Sequence, residues 1–204
     1  MELAAARVQN SGMTVAIARL KISLDDVNPK VVRRLAVPFA LRLDRLHLAF
    51  QAALGWENYH LWEFRIGGAG FGIPDPSWPG GPLDARKSSL QRVIADTGVK
   101  RFQYLYDFGD GWEHTIIIEK IEPARPGIDY PFLLAAAGRC PPEDVGGPSG
   151  YAEYLEALAD PNHERHAEML EWRGAAFDPA KISIADLDLA LEDLARKWSK
   201  TRKP

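Results

Sequence analysis

Residues 14–24 alternate, with Ala16, Ala18, Leu20, Ile22 and Leu24 set against Val15, Ile17, Arg19 and Lys21. That period of two places alternate side chains on one face of a strand. A turn-forming stretch at 25–29 follows, and residues 30–37, closing at Pro38, predict a second strand joined to the first as a hairpin, with a helix as the competing assignment. From Leu43 the period changes: Leu43, Leu46, Phe50 and Leu54, with His47 among them, recur at the spacing of one helical face, and Gly55 ends it. Residues 59–66 are aromatic and branched and read as a strand, and the glycines at 67, 68, 70 and 72 permit a reversal into a short partner. The Pro- and Gly-rich stretch 74–87 reads as an exposed loop, and 89–95 as a short helix.

The clearest hairpin joins strands at 100–107 and 112–121 through Phe108-Gly109-Asp110-Gly111, because glycine accepts positive φ without steric cost. No strand is expected over 122–150, which is irregular and too long for a plain connector. Helices are expected at 150–159, 162–172 and 184–197, the last with Ser183 as N-cap and a stripe of Leu187, Leu191, Leu194 and Trp198. Strands first and helices last predict an α+β fold: a mixed, largely antiparallel sheet from the N-terminal two thirds, packed with helices that include a helical C-terminal third. The whole chain of 204 residues is expected to be a single domain.

A net charge of -3 disfavours a protein that coats nucleic acid, since such binding requires Lys and Arg to displace counterions. The basic run Arg196, Lys197, Lys200, Arg202 and Lys203 reads as a solvated helix end. One cysteine, Cys140, excludes an internal disulfide and any zinc site with several thiolates. Residues 1–13 lack the charged-then-apolar build of a secretory signal, and no apolar run reaches membrane-spanning length, so a cytoplasmic protein is expected.

Three motifs stand out: Gly55-Trp56 with His60-Leu61-Trp62-Glu63-Phe64; Tyr106-Asp107-Phe108-Gly109-Asp110-Gly111-Trp112-Glu113-His114; and Cys140-Pro141-Pro142-Glu143-Asp144-Val145-Gly146-Gly147 with Gly150-Tyr151. Together they resemble the plasmid pRiA4b open-reading-frame-three-like family from about residue 16 to about 179. The chain departs from that family at Val32, where a tryptophan usually precedes the arginines matching Arg33 and Arg34. The resemblance implies an α+β domain without an established activity, some of whose members travel on plasmids and transposable elements. It also brings a resolvase label, which the residues do not support. Neither a nucleophilic serine among arginines with a basic tail, nor a tyrosine with a dispersed Arg/His set, is visible.

The second motif gathers Asp107, Asp110, Glu113 and His114 around a tight turn, with Trp112 and His114 on one strand face and Glu113 on the other. The third sets Glu143 and Asp144 between a stiff Pro-Pro and a flexible Gly-Gly. If the two meet, His60, Asp107, Asp110, His114, Glu143 and Asp144 would hold a divalent cation or form an acid–base pair. The competing reading is structural: Asp107 caps the turn, while Glu143 and Asp144 accept backbone amides or pair with Arg33 or Arg139. His163 and His166 read as exposed, and Cys140, followed by Pro-Pro, as no nucleophile.

No catalytic motif is recognisable. The leading expectation is a non-catalytic binding module whose acidic and aromatic groove, formed by Trp56, His60, Trp62, Tyr106, Asp107, Asp110, Trp112, His114, Glu143, Asp144 and Tyr151, recognises a protein, peptide or small molecule. The alternatives are a metal-dependent hydrolase or nuclease and a mobile-element accessory protein that contacts DNA.

Overall fold

β1 (Ala16–Leu24) and β2 (Val31–Pro38) pair antiparallel with Leu20 opposite Leu35. The sequence alternation thereby becomes a buried stripe of Ala18, Leu20, Ile22 and Leu24 beneath a half-buried row of Arg19, Lys21 and Ser23. The further strands are β3 (Trp62–Ile66), β4 (Ala69–Gly72), β5 (Leu83–Asp84), β6 (Arg101–Tyr106), β7 (Trp112–Pro123) and β8 (Phe132–Ala137). They form one eight-stranded sheet in the order β5-β4-β3-β6-β7-β1-β2-β8, antiparallel throughout except between β4 and β5. This computed structural model describes residues 15–77, 79–174 and 177–200. Thr14, expected to open the first strand, and Arg202 and Lys203 of the basic run lie outside them.

α1 (Leu43–Leu54) covers the apolar face of the sheet. Phe50 meets Phe64 and Tyr104 edge-on at 5.6 and 5.3 Å between ring centroids, and His47 stacks on Trp62 at 4.1 Å. Gly55, at φ 79°, turns the chain out of this helix as the sequence predicts. α2 (Leu90–Thr97) is capped by Ser89. α3 (Gly147–Ala159), α4 (His166–Arg173) and α5 (Ile184–Lys200) complete the α+β fold, with α5 against α1 and β8. Ser183 accepts from the backbone N–H of Asp186 at 3.4 Å, and Leu187 and Leu191 are buried; Ala195, not Leu194, is the third buried position of the stripe.

Several boundaries differ from those expected. β8 lies inside the stretch read as free of strands: it pairs with β2 at the sheet edge and buries only Leu133, and its run of alanines carries little strand signal. The supposed loop 74–87 contains β5 and a 3-10 turn at Ala85–Lys87, started by the Asp84 carboxylate accepting from Arg86 N at 3.0 Å, with Ala85 buried beneath it. β3 begins at Trp62 rather than 59, because the backbone N–H of Tyr59 donates to the Tyr106 hydroxyl instead of to a neighbouring strand. Among the described residues no helix is long and apolar enough to cross a membrane.

Candidate functional site

The turn between β6 and β7 is built around Asp107. Its φ is 56°, its Oδ1 accepts from the backbone of Gly109 at 2.9 Å and of Asp110 at 3.3 Å, and its carbonyl accepts from Gly111 N at 2.7 Å. One carboxylate oxygen therefore serves the turn, as the structural reading of Asp107 expects. The other, Oδ2, lies 3.6 Å from His60 Nε2, and Asp144 Oδ1 approaches the same nitrogen to 3.2 Å. One ligand atom from each of His60, Asp107 and Asp144 falls within 4.8 Å of the other two. The second and third motifs do meet.

Of the six donors proposed together, these three converge on one point, whereas Asp110 and Glu143 join the two motifs by hydrogen bonds of their own. Asp110 Oδ2 accepts from Gly146 N at 3.2 Å and so joins the loop to the turn. Glu143 is only 8% exposed and points inward: Tyr106 donates its hydroxyl to it, and so does Glu57 N at 2.7 Å. Its neighbour Asp144, at φ 61°, turns outward. Trp112 and His114 share a buried face while Glu113 is exposed, as strand alternation requires, so the His114 ring is held in the core beside Tyr104 and Trp56. Tyr106 and Tyr151 are likewise buried. His166 donates Nδ1–H to Ala157 O at 2.7 Å and His163 Nδ1 accepts from Arg165 N at 3.1 Å, so both are half-buried local partners rather than the exposed side chains expected.

Two buried histidines are electrically silent. Desolvation lowers both His47 and His114 to about 4, so both are neutral at physiological pH. In His47 the Tyr104 hydroxyl, 2.7 Å from Nδ1, also accepts from Gln51, while Asn58 Oδ1 faces Nε2; this pattern assigns the imidazole proton to Nε2. In His114 Nδ1 faces two backbone carbonyls, those of Trp112 at 3.1 Å and Tyr104 at 3.2 Å, and carries the proton there.

On the other side of the third motif is a cleft of about 1060 Å³. It is lined by Trp56 and Glu57, by the chain from Arg139 to Glu143, and by Arg173, Phe177, Lys181 and Leu187. Trp56 is fixed in that lining by donating Nε1 to Pro141 O at 2.9 Å and by stacking on Tyr106 at 5.1 Å. Arg33 closes the floor, 1% exposed. Its Nε donates to Ala53 O at 2.7 Å, Nη1 to the carbonyls of Val32 and Ala137 at 2.9 Å each, and Nη2 to Cys140 Sγ at 3.4 Å. Neither Arg33 nor Arg139 pairs with a carboxylate among the described residues; Arg139 lies over the Phe177 ring at 4.6 Å. The cleft was not visible in the sequence, although Arg33 and Arg139 were considered as partners of the third motif. Tyr154, three residues after Tyr151 on α3, was the one local signal, an aromatic pair at helical spacing.

The three motifs and this fold fit the plasmid pRiA4b ORF-3-like protein profile, which matches residues 16–186. The chain belongs to that family. It is 57% identical over 189 residues to "Uncharacterized protein y4hQ" of Sinorhizobium fredii (strain NBRC 101917 / NGR234), covering 92% of this chain and 97% of that protein. The crystal structure of a protein of unknown function, MM3350 from Methanosarcina mazei Go1, matches with a TM-score of 0.77 at 33% identity, over 84% of this chain and 97% of that one. The family resemblance expected from the sequence is thus shown, together with the α+β fold.

Proposed function

We propose that this family member is a non-catalytic binding module whose ligand occupies the cleft lined by Trp56, the third motif, Arg173, Phe177, Lys181 and Leu187. The observation that carries the reading is the cleft itself. It has the size of a small-molecule site and a stiff wall built from Trp56 and the Pro141-Pro142 pair. Its one thiol, Cys140, is pushed up to about 11 by burial, the direction that disarms a nucleophile. Of the aromatics expected to line an open groove, Trp56 lines the cleft, while Trp62, Tyr106, Trp112 and Tyr151 are buried in the core.

The test is amide and indole NMR of the labelled chain during a small-molecule screen. Ligands that shift the Trp56 indole and the amides of 139–143, without being consumed, support the reading. Turnover of any of them that is lost in Asp107→Asn would overturn it.

A second reading, a metal-dependent hydrolase, is favoured by the convergence of His60, Asp107 and Asp144. One imidazole and two carboxylates are a donor set that suits zinc or manganese, and a bound ion there would supply Lewis acidity and an activated water. His60 Nε2 is shielded from solvent and makes no hydrogen bond among the described residues although Asp144 Oδ1 is 3.2 Å away, which fits a metal-ligating nitrogen. Elemental analysis and calorimetric titration with Zn²⁺ and Mn²⁺ test it: stoichiometric binding abolished in His60→Ala supports the site, and none in the parent chain removes it.

A further inference from the structure

Donors dominate the inside of the cleft. Arg33 has five N–H groups and uses four of them on three carbonyls and the Cys140 sulfur, which leaves one on Nη2. Tyr154 lines the cleft, and its buried hydroxyl has no hydrogen-bond partner among the described residues. Burial raises its pKa, so it keeps its proton and is available as a donor. Arg139 and Lys181 add two further cations, neither in an ion pair among the described residues, and Arg173 donates one bond to Glu143 O at 2.7 Å.

The carboxylates that line the same space do not balance this. Glu143 is turned away to Tyr106 and Glu57 N, Glu57 takes the Tyr59 hydroxyl, and Asp186 stands at the start of α5. A guanidinium that is 1% exposed without a counter-charge is costly, and burial lowers its pKa accordingly. An anionic ligand relieves that cost, and its oxygens satisfy the unpartnered donors. Trp56, Phe177 and Leu187 add apolar surface to the lining.

Resting on the binding-module reading, we infer that the cleft takes a small organic oxyanion, an apolar or aromatic body carrying a phosphate or carboxylate, with the anionic head on Arg33 and Tyr154 and gathered in by Arg139 and Lys181. Arg is suited to this because its planar fork matches both head groups. The mixture of cationic floor and aromatic wall explains why a bare ion is the poorer fit.

The experiment is isothermal titration and thermal unfolding of the full chain with phenyl phosphate, phenylacetate, inorganic phosphate and, as the uncharged control, benzyl alcohol, at constant ionic strength. Binding of phenyl phosphate or phenylacetate is expected, the preferred one identifying the head group, with affinity reduced about tenfold or more in Arg139→Gln/Lys181→Gln. Both substituted residues are exposed, and Arg139 loses only its contact over Phe177, so the unliganded variant should melt within a few degrees of the parent. Tyr154→Phe is the second variant, removing one donor and no charge, and should weaken the same ligand. Equal binding of benzyl alcohol, or unchanged affinity in both variants, overturns the oxyanion inference while leaving a binding cleft. Binding of none of the four overturns the inference, and NMR shifts at Trp56 from other compounds would then keep the binding-module reading alive on its own.

Discussion

Tyr106 donates its phenolic proton to Glu143, so that a strand residue of the second motif holds the carboxylate of the third. The same hydroxyl accepts from Tyr59 N at 3.1 Å, which ties in the first motif as well. One oxygen atom therefore joins three segments that lie far apart in the chain, and the cleft wall depends on it. Tyr106→Phe leaves a buried carboxylate and a backbone N–H each short of a partner, and should cost about 2–3 kcal/mol in urea unfolding. Glu143→Gln should cost a similar amount, since its amide N–H₂ would face either the Tyr106 hydroxyl or Glu57 N. A loss below about 0.5 kcal/mol in both variants would show that this link does not hold the motifs together.

Gly147 marks where the third motif is pressed onto the turn. It sits at φ 69°, and a Cβ there would lie 2.2 Å from the carbonyl oxygen of Asp110. Gly147→Ala must therefore bear both the left-handed backbone and a collision with main chain, and should destabilise by about 3 kcal/mol or more. Gly80 is the control, with a similar positive φ of 89° and open space around it, so Gly80→Ala should cost only about 1 kcal/mol. Equal melting temperatures for the two variants would mean that the loop does not lie against the turn.

Much of the fold could be read from local pattern. The β6–β7 hairpin carried both its alternation and its Asp-Gly turn, and α1 its helical spacing and terminal glycine. β8 could not be read, because its alanines have no side-chain preference and its pairing with β2 is fixed by tertiary contact. At the site, the approach of Asp107 and Asp144 to His60 was accessible as a question, since all three stood in quoted motifs. That Glu143 faces inward while Asp144 faces outward was not, because it turns on one positive φ. The cationic cleft was least accessible of all: Arg33 and Cys140 are 107 positions apart, and Arg173 and Lys181 belong to no motif.

The two buried histidines predict an acid limit to stability. Each is held at about 4 in the folded chain against about 6.5 when unfolded, so between those values the unfolded state binds more protons than the folded one. Stability is then full above pH 6.5, falls as pH drops through that window, and loses on the order of 3 kcal/mol per histidine by pH 4. Chemical denaturation from pH 7.5 to 4 should show this slope, and His47→Gln and His114→Gln should each flatten it even though both start less stable. A slope in the parent that neither substitution changes would place the titration elsewhere.

Cys140 offers a kinetic measure of the same packing. With the thiol at about 11, only about one molecule in several thousand carries the thiolate at pH 7.5, against roughly a tenth for an unperturbed cysteine. Alkylation by iodoacetamide in the native state should therefore be at least about two orders of magnitude slower than that of free cysteine, and should reach the free rate in denaturant. Arg33 opposes the effect of burial, since its charge favours the thiolate, and desolvation wins because the sulfur is enclosed between the cleft floor and the core. Arg33→Met should then slow the native reaction further if the fold is kept, whereas an acceleration would mean that the guanidinium acts on Cys140 by shielding it rather than by its charge.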